Sequence, residues 1–384
     1  MDALPPELIH AIVGEIGEVG SLKMCSLVSR IFLESCQKTL FRSLTIADDH
    51  VESSTLWSRL QESPHLGRYV ESIVCIFPQP NAPNAELHAL CGILDHLTNV
   101  RQCVLVGDPE LEDLYHWRDL PTQFSAAIVN LIQRLQLSQL HVFSIASLPG
   151  DILTMFFAAA PTLTFLETSV DPMTTADVVG PSLLTLRNLA IACSPSIANV
   201  LTSPRCSPHV ARIRKLWVDD ASSRLISTMA QNLQHIRIEP DADKANLADF
   251  PPQLPCLQSS EIALNFDQRD SPLFITILSS LAEAASSTLE EICVTYAPLY
   301  ISPLDSSLAP QTMVAVETAI VGCGGVPRIR WRLDVSRDRE EFFNEFSVCL
   351  AKGMSKLHKY GRLIVERYSS DDEGMFSWVE QFSR

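Results

Sequence analysis

The sequence predicts an α/β fold in which a three-helix module is followed by a long array of alternating helices and strands. Helical and strand patterns alternate along most of the 384-residue chain, an order typical of a parallel sheet covered by helices. About ten of the strand patterns share one spacing of apolar residues, which indicates a structural repeat. Hydrophobic residues form 46% of the chain, and the mean hydropathy of +0.13 is sufficient for a large core.

The first forty residues indicate three short amphipathic helices. Pro5 and Pro6 stand where the first helix would begin, because proline is tolerated in a first turn. Ser21 is a suitable N-cap for a second helix, and Ser29 with Arg30 leads into a third. These helices carry more apolar positions than they can hide in one another, and alone they are too small to form a core. The excess predicts a surface that binds a partner.

An ordered motif runs through these helices. It reads Leu-Pro-x-Glu-Leu-x-x-x-Ile from residue 4, Leu-x-x-Cys-Ser-Leu-Val-Ser-Arg-x-Phe from residue 22, and Leu-Phe-Arg-x-Leu from residue 40. The motif covers residues 1–46 and resembles an F-box, the helical module that docks on the Skp adaptor of SCF ubiquitin ligases. Many F-boxes carry a tryptophan where this chain has Phe32.

The resemblance implies a set of adaptor-binding residues and two partners. The partners are a Skp adaptor and, through it, a cullin-RING ligase. The implied adaptor-binding residues are Leu4, Pro5, Glu7, Leu8, Ile12, Leu22, Cys25, Leu27, Val28 and Phe32. The other interpretation is a helical cap that packs against the rest of the chain and has no outside partner.

Residues 47–84 are expected to connect the module to the repeats. Leu56, Trp57 and Leu60 fall on one side of a predicted helix, and residues 72–77 form a short apolar strand. The following stretch, residues 78–84, is rich in proline and asparagine and is therefore predicted to be a loop.

Residues 85–368 repeat a helix followed by a strand with the spacing Leu-x-x-Leu-x-Leu. The clearest copy is Leu289, Ile292 and Val294. The strand patterns recur roughly every 30 residues, within the range of leucine-rich repeats. Such units bury their apolar sides by stacking on neighbours, so we expect an irregular leucine-rich-repeat solenoid with a parallel sheet. A doubly wound α/β domain is the alternative, although a single sheet of so many strands would be unusual.

The C-terminal part is expected to close the array. An amphipathic helix over residues 339–357 is predicted to cap the solenoid, because Phe342, Phe346 and Leu350 fall on one side. Residues 369–384 form an acidic tail.

Composition limits the classes of partner. The net charge of −16 and the pI near 5.0 argue against nucleic acid and acidic membranes as ligands. The eleven cysteines show no Cys-x-x-Cys pair and lie in apolar runs, which is typical of free thiols in a reducing compartment. With no leader-like N-terminus and no apolar run of membrane-spanning length, the sequence favours an intracellular protein, cytoplasmic or nuclear.

Linear motifs of enzymes and cofactor sites are not found in the sequence. His88, Cys91, His96 and Cys103 resemble metal-ligand spacing, but the leucines between them favour surface histidines and core cysteines. Acidic groups at 219–220, 241–243 and 371–373 are best explained as solvated turns. We therefore expect no metal, no cofactor and no catalytic residues. Residues of the types that dominate interfaces lie on or near strands: Trp217, Arg237, Tyr296 and Trp331. Those that face the concave side of the sheet are candidates to contact a substrate, and the sequence leaves open which of the four do so.

These observations lead to one preferred hypothesis. The chain is expected to be a non-catalytic substrate receptor of an SCF-type ubiquitin ligase, whose repeats bind a protein substrate. The alternative is a leucine-rich-repeat scaffold whose first helices only cap the solenoid.

Overall fold

The computed structural model shows an α/β protein with a large parallel sheet and helices between the strands. It describes residues 5–47, 50–107, 114–175, 186–219, 223–240, 251–265, 271–285, 287–297, 310–322, 325–334 and 340–368. Leu4, the acidic groups at 241–243 and 371–373, and the tail at 369–384 lie outside these residues. The chain forms two compact units, residues 1–163 with 167–177, and residues 164–166 with 178–384.

The first unit begins with the three predicted helices: α1 (Pro6–Gly14), α2 (Val19–Val28) and α3 (Arg30–Leu40). Pro5 precedes α1 as expected, and the Ser29 hydroxyl caps α3 by accepting a hydrogen bond from the Ile31 N–H at 3.4 Å. The prediction for Ser21 was wrong. Helix α2 begins two residues earlier, and Ser21 lies in its first turn, where its hydroxyl donates to Glu18 at 2.8 Å.

The rest of the first unit alternates strands and helices. In chain order the elements are β1 (Ser43–Ile46), α4 (His50–Glu62), a 3-10 helix (Pro64–Tyr69), β2 (Ser72–Ile76), α5 (Asn84–His96), β3 (Gln102–Val106), β4 (Tyr115–His116), a 3-10 helix (Trp117–Asp119), α6 (Thr122–Arg134), β5 (Gln139–Phe143), β6 (Ile145–Ala146), α7 (Gly150–Ala159) and β7 (Thr162–Leu166). The helix predicted around Trp57, the strand at 72–77 and the loop at 78–84 are confirmed.

The strand order in the first unit follows the chain. Strands β1, β2, β3 and β5 lie side by side, all parallel, and Ser72 pairs with Ser43 on one side and Gln102 on the other. Consecutive helices α4, α5, α6 and α7 pack against one another and form a layer beside the sheet. The two-residue strands β4 and β6, which the sequence did not predict, pair separately.

The second unit continues the alternation. Its elements are β8 (Asn188–Ala192), α8 (Pro195–Leu201), α9 (Ser207–Val210), β9 (Lys215–Asp219), α10 (Ser223–Met229), β10 (His235–Glu239), β11 (Ser259–Asn265), α11 (Ser271–Ala284), β12 (Glu291–Ala297), α12 (Pro310–Val321), β13 (Arg328–Asp334), α13 (Glu340–Gly353), α14 (Ser355–Lys359) and β14 (Leu363–Tyr368).

Strands β8 to β14 are parallel and again lie in chain order, without the reversal that a doubly wound sheet requires. The repeat spacing predicts the core correctly here. Leu289, Ile292 and Val294 are buried, as are the equivalent apolar residues of β8, β9 and β10. Their burial shows that one side of this sheet is covered.

The predicted C-terminal cap has a different position. Helix α13 packs beside α12 and contacts β14, the strand that follows it. Helix α13 therefore belongs to the helix layer of the second unit. Strand β14 follows α13 along the chain and is added to the sheet after β13.

A left-handed residue recurs directly after the strands. Ser144, Glu167 and Cys193 follow β5, β7 and β8, and each has a φ near +50°. Gly107 follows β3 without a left-handed φ, and a Cβ atom there would overlap the Ser144 carbonyl oxygen. Since L residues rarely adopt this conformation, its recurrence at one position shows that these strands end in the same kind of turn.

Candidate docking and recognition surfaces

Helices α1 to α3 enclose a small core of their own. Ile9, Val13, Leu22 and Cys36 are buried in it. Half-buried side chains of Ile16, Cys25, Phe32 and Leu40 pack around it. The spacing of Ile9 and Val13, four residues apart on α1, explains why this side of the helix faces inward.

The same helices carry a second set of apolar residues that face solvent. We call this set the outer apolar surface: Leu8, Ile12, Val19, Met24, Leu27, Val28, Ile31 and Leu33. Leu27 and Val28 are 80% and 77% exposed, and Leu8 and Ile12 are each 51% exposed. Each helix is therefore apolar toward its neighbours and again toward solvent.

The outer apolar surface is unusual within this chain. Among the described residues, thirteen large hydrophobic side chains are exposed, and eight of them lie between residues 8 and 33. Single exposed apolar residues need no explanation, but a concentration of them marks an interaction site. Their burial by a partner would be favourable by roughly 25 cal/mol per Å² of apolar area.

The helical module is joined firmly to the sheet of the first unit. Strand β1 pairs with β2, and the Arg42 carbonyl accepts hydrogen bonds from the N–H groups of Glu71 and Ser72 at 2.9 and 3.0 Å. The Arg42 guanidinium also pairs with the Glu71 carboxylate at 3.1 Å. Residues 43–46, which the sequence assigned to the module, therefore form the first strand of the sheet.

The structure brings most of the predicted adaptor-binding residues to the outside of the helices. Pro5, Glu7, Leu8, Ile12, Leu27 and Val28 are exposed on α1 and α2. Leu22 differs, because it is buried in the module core. Cys25 and Phe32 are half-buried against that core. These three residues therefore contribute to the core of the module rather than to its exposed surface. Leu4 lies outside the described residues.

Sequence reasoning missed four residues of the outer apolar surface, namely Val19, Met24, Ile31 and Leu33. Val19 was assigned to a turn because α2 was expected to begin at Ser21. The other three stand next to the matched motif positions. Their apolar character was visible in the sequence, but the direction in which they point depends on how the helices pack.

A second candidate surface is the polar face of the sheet in the second unit. It consists of alternate strand residues on the side away from the buried repeat leucines: Trp217, Arg237, Glu239, Glu261, Glu291, Cys293, Thr295 and Arg330. The Arg237 guanidinium lies 4.8 Å from the centre of the Trp217 ring and 3.3 Å from the Glu261 carboxylate. Glu261 also accepts a hydrogen bond from the Thr295 hydroxyl at 3.0 Å.

Partial burial is the largest cause of the pKa shifts of Glu239 and Cys293 on this polar face. Burial raises the pKa of Glu239 above its ordinary value, although the Arg237 charge acts in the opposite direction. Burial, reinforced by the Glu261 carboxylate, raises the pKa of the Cys293 thiol to about 12. Further along, Arg330 pairs with Glu366 at 2.7 Å and Glu291 at 3.0 Å. On this face, arginine side chains therefore pair with carboxylates, and Arg237 also contacts the ring of Trp217.

Two of the four candidates for substrate contact lie on the other side of the sheet. Trp331 is buried with its ring 6.0 Å from Phe274, and Tyr296 stacks on Phe346 at 5.6 Å. The condition for substrate contact is therefore not met by these two residues, because their positions alternate with those of the polar face. Trp217 and Arg237 are on the polar face and contact each other.

The metal-like residues of α5 and β3 are held by ordinary packing. The Trp57 ring lies edge-on to His96 at 5.0 Å and to His88 at 6.2 Å. The Cys91 thiol donates to the Gln123 carbonyl at 3.6 Å, and Cys103 is buried. Within the described ranges, no group of three or more histidine, cysteine or acidic side chains has the geometry of a metal site. Asp219 instead accepts a hydrogen bond from the Cys193 N–H at 2.6 Å.

Comparisons with known proteins give no family for this chain. No protein-family model matches it. A search of curated proteins also finds no similar sequence. A separate observation concerns membranes: among the described residues, none of the helices combines the length and apolar character needed to cross a bilayer.

Proposed function

We propose that this chain is the substrate-recognition subunit of an SCF-type ubiquitin ligase. In this proposal α1 to α3 form an F-box that docks on a Skp adaptor, which links the chain to a cullin-RING ligase. The outer apolar surface is the observation that supports it, because a surface of this kind is what an obligate docking module presents before it binds. The resemblance of the motif in residues 1–46 to an F-box is the reason for proposing a Skp adaptor as the partner.

The proposed mechanism needs no catalytic residue in this chain. A bound substrate would be held close to a ubiquitin-charged enzyme elsewhere in the complex, so that its lysines react at a raised effective concentration. The firm junction between α3 and the sheet suits this role. Because Arg42 and β1 join the helices to the sheet of the first unit, a docked adaptor would hold that sheet in a defined orientation.

As part of the same proposal, we infer that residues 85–368 form an irregular leucine-rich-repeat solenoid. Strands that follow chain order, helices that pack on their neighbours, and the recurring left-handed turn after β5, β7 and β8 all support it. The polar face around Trp217 and Arg237 would then be the place where a protein substrate binds.

One observation favours a second candidate function. The pairing of β1 with β2 means that the helical module also covers the beginning of the sheet. A leucine-rich-repeat scaffold with a helical cap would show the same junction. It would not need the outer apolar surface, since a cap buries its apolar residues against the first repeat.

Paired substitutions in the full chain separate the two candidates. Removal of residues 1–46 is unsuitable, because it deletes β1 together with the helices. We suggest Leu8→Asp with Val28→Asp, which changes two exposed residues and leaves the module core intact. The matched control is Val314→Asp with Val348→Asp, since these valines are 52% and 51% exposed on α12 and α13.

The measurement is co-purification with the host Skp adaptor, followed by titration. The wild type and the Val314/Val348 variant should bind. The Leu8/Val28 variant should lose roughly 30-fold or more in affinity, because each buried apolar anchor contributes on the order of 1–2 kcal/mol. Equal binding by the two variants would contradict the assigned surface, and no binding by the wild type would favour the scaffold.

A further inference from the structure

Two cysteine thiols meet inside the helical module. Cys25 lies on α2 and Cys36 on α3, and these helices pack against each other. Cys25 belongs to the shell of side chains around the small core that contains Cys36. The Cys25 side chain thus packs against the cluster that holds Cys36, and its interaction with the Cys36 thiol raises the pKa of that thiol. Neither residue is needed as a metal ligand or a charge partner in the surfaces described above.

The two thiols differ in their access to solvent. Cys25 is half-buried, whereas Cys36 is fully buried. Burial, together with the contact to Cys25, raises the pKa of the Cys36 thiol to about 11, so that Cys36 keeps its proton at neutral pH. A reagent from solution therefore meets Cys25 first, and Cys36 is positioned directly behind it.

The first unit contains a second pair with a different environment. Cys75 on β2 and Cys103 on β3 lie diagonally opposite on paired strands, and the Cys103 thiol raises the pKa of the Cys75 thiol. Both are fully buried beneath the helix layer. This pair is a control supplied by the chain itself, because it has the thiol contact but lacks the accessible member.

We propose that Cys25 and Cys36 form a thiol-oxidation site, in which a small disulfide such as oxidised glutathione converts the pair to an intramolecular disulfide. The Cys25 thiolate attacks one sulfur of the small disulfide, forms a mixed disulfide and releases one thiol. The Cys36 sulfur, after losing its proton to solvent, then attacks the Cys25 sulfur and releases the second thiol. The two protein thiols are oxidised, and the small disulfide is reduced to two thiols.

Such a bond would connect α2 to α3 across their contact. The intervening chain, which includes Leu27 and Val28, would be closed into a short loop, so the two helices could not separate when the module unfolds. Formation of the bond depends only on the fold of the module. It is therefore independent of whether a Skp adaptor binds to the outer apolar surface.

The test uses the full chain, incubated under native conditions with defined ratios of oxidised to reduced glutathione. Remaining thiols are blocked at low pH, and the protein is digested with trypsin without reduction. Cleavage after Lys23, Arg30 and Lys38 places Cys25 and Cys36 on different peptides, residues 24–30 and 31–38. We expect the disulfide-linked pair of these peptides, while Cys75 and Cys103 stay as thiols.

Variants distinguish a disulfide from simple surface modification. In Cys36→Ser, Cys25 should accumulate as the glutathione mixed disulfide. In Cys25→Ser, which changes the more exposed residue, Cys36 should remain a thiol. Cys103→Ser should leave the linked pair unchanged. The proposal is overturned if wild-type Cys25 accumulates the mixed disulfide as fully as Cys36→Ser does, or if both thiols stay unmodified while exposed Cys193 and Cys256 react.

Discussion

The Glu317 carboxylate of α12 accepts a hydrogen bond from the main-chain N–H of Leu357 at 3.0 Å, at the beginning of α14. The same oxygen accepts from the Lys356 N–H at 2.6 Å. Glu317 is buried, so these N–H groups take the place of water around the carboxylate. A buried acid of one helix thus caps the first turn of another.

Loss of this cap should destabilise the second unit. We expect Glu317→Ala to lower the free energy of unfolding by about 1–3 kcal/mol, because a buried and a part-buried N–H group lose their acceptor. Glu317→Gln keeps one acceptor oxygen and should cost less. Urea denaturation measures both, with the exposed Glu283→Gln on α11 as control. Equal stability of the alanine variant and the wild type would show that the cap is dispensable.

His141 on β5 predicts an acid-sensitive first unit. Burial lowers the pKa of its imidazole from 6.5 to about 3. The unfolded chain therefore binds a proton that the folded chain does not, and stability should fall as the pH drops below 6.5 toward 3. The slope contributed by this residue is at most about 1.4 kcal/mol per pH unit.

The variant His141→Phe should unfold with a shallower pH dependence over the same range. Its ring can still stack on Phe143, which lies 6.2 Å from the imidazole. Exposed His10→Gln is the control and should keep the wild-type slope. If His141→Phe and the wild type have the same slope in urea titrations between pH 6.5 and 4, the imidazole takes up its proton as easily in the folded chain as in the unfolded one.

Glu239 should have the opposite pH dependence. Because burial raises its pKa above the ordinary 4.5, the folded chain holds a proton that the unfolded chain has already released. The contribution of Glu239 to the free energy of unfolding should therefore fall as the pH rises from 4.5 through the raised pKa of this residue. Glu239→Gln should reduce this fall, measured as the difference in unfolding free energy between variant and wild type across that range. A constant difference would contradict the assignment.

Gly107 should tolerate no side chain. A Cβ atom there would overlap the Ser144 carbonyl oxygen of the neighbouring turn, which is main chain and cannot rotate away. We expect Gly107→Ala to destabilise the protein by roughly 2 kcal/mol or more. Gly20→Ala in the first turn of α2 meets open space and should be neutral or slightly stabilising. Thermal unfolding of the two variants compares them directly.

The sequence predicted the strands better than the surfaces. Leu289, Ile292 and Val294 are buried because a strand with a helix layer on one side must place alternate apolar residues inward, and this rule depends only on spacing. Trp331 was a candidate for substrate contact on its residue type alone, and its alternation with Arg330 decides the side of the sheet that it faces. The pattern of strand residues carried the information, and the aromatic character did not.

The helical module shows the other limit of sequence reasoning. The spacing of Ile9 and Val13 predicts a helix, and so does that of Leu8 and Ile12, but spacing alone does not say which pair faces inward. Only the packing of α1 on α3 decides it. The start of α2 was missed because Glu18, a weaker N-cap than Ser21, takes the capping position.

Strand order in the second unit bears on how that unit folds. In the described part of the chain, each of β9 to β13 pairs with the strands before and after it in sequence. Every pairing therefore joins segments close in sequence, and closing each successive loop costs a similar, modest entropy. Structure can grow one strand at a time from any formed pair, as in nearest-neighbour cooperative systems. A chain still emerging from the ribosome could therefore order its early strands before β14 has been synthesised.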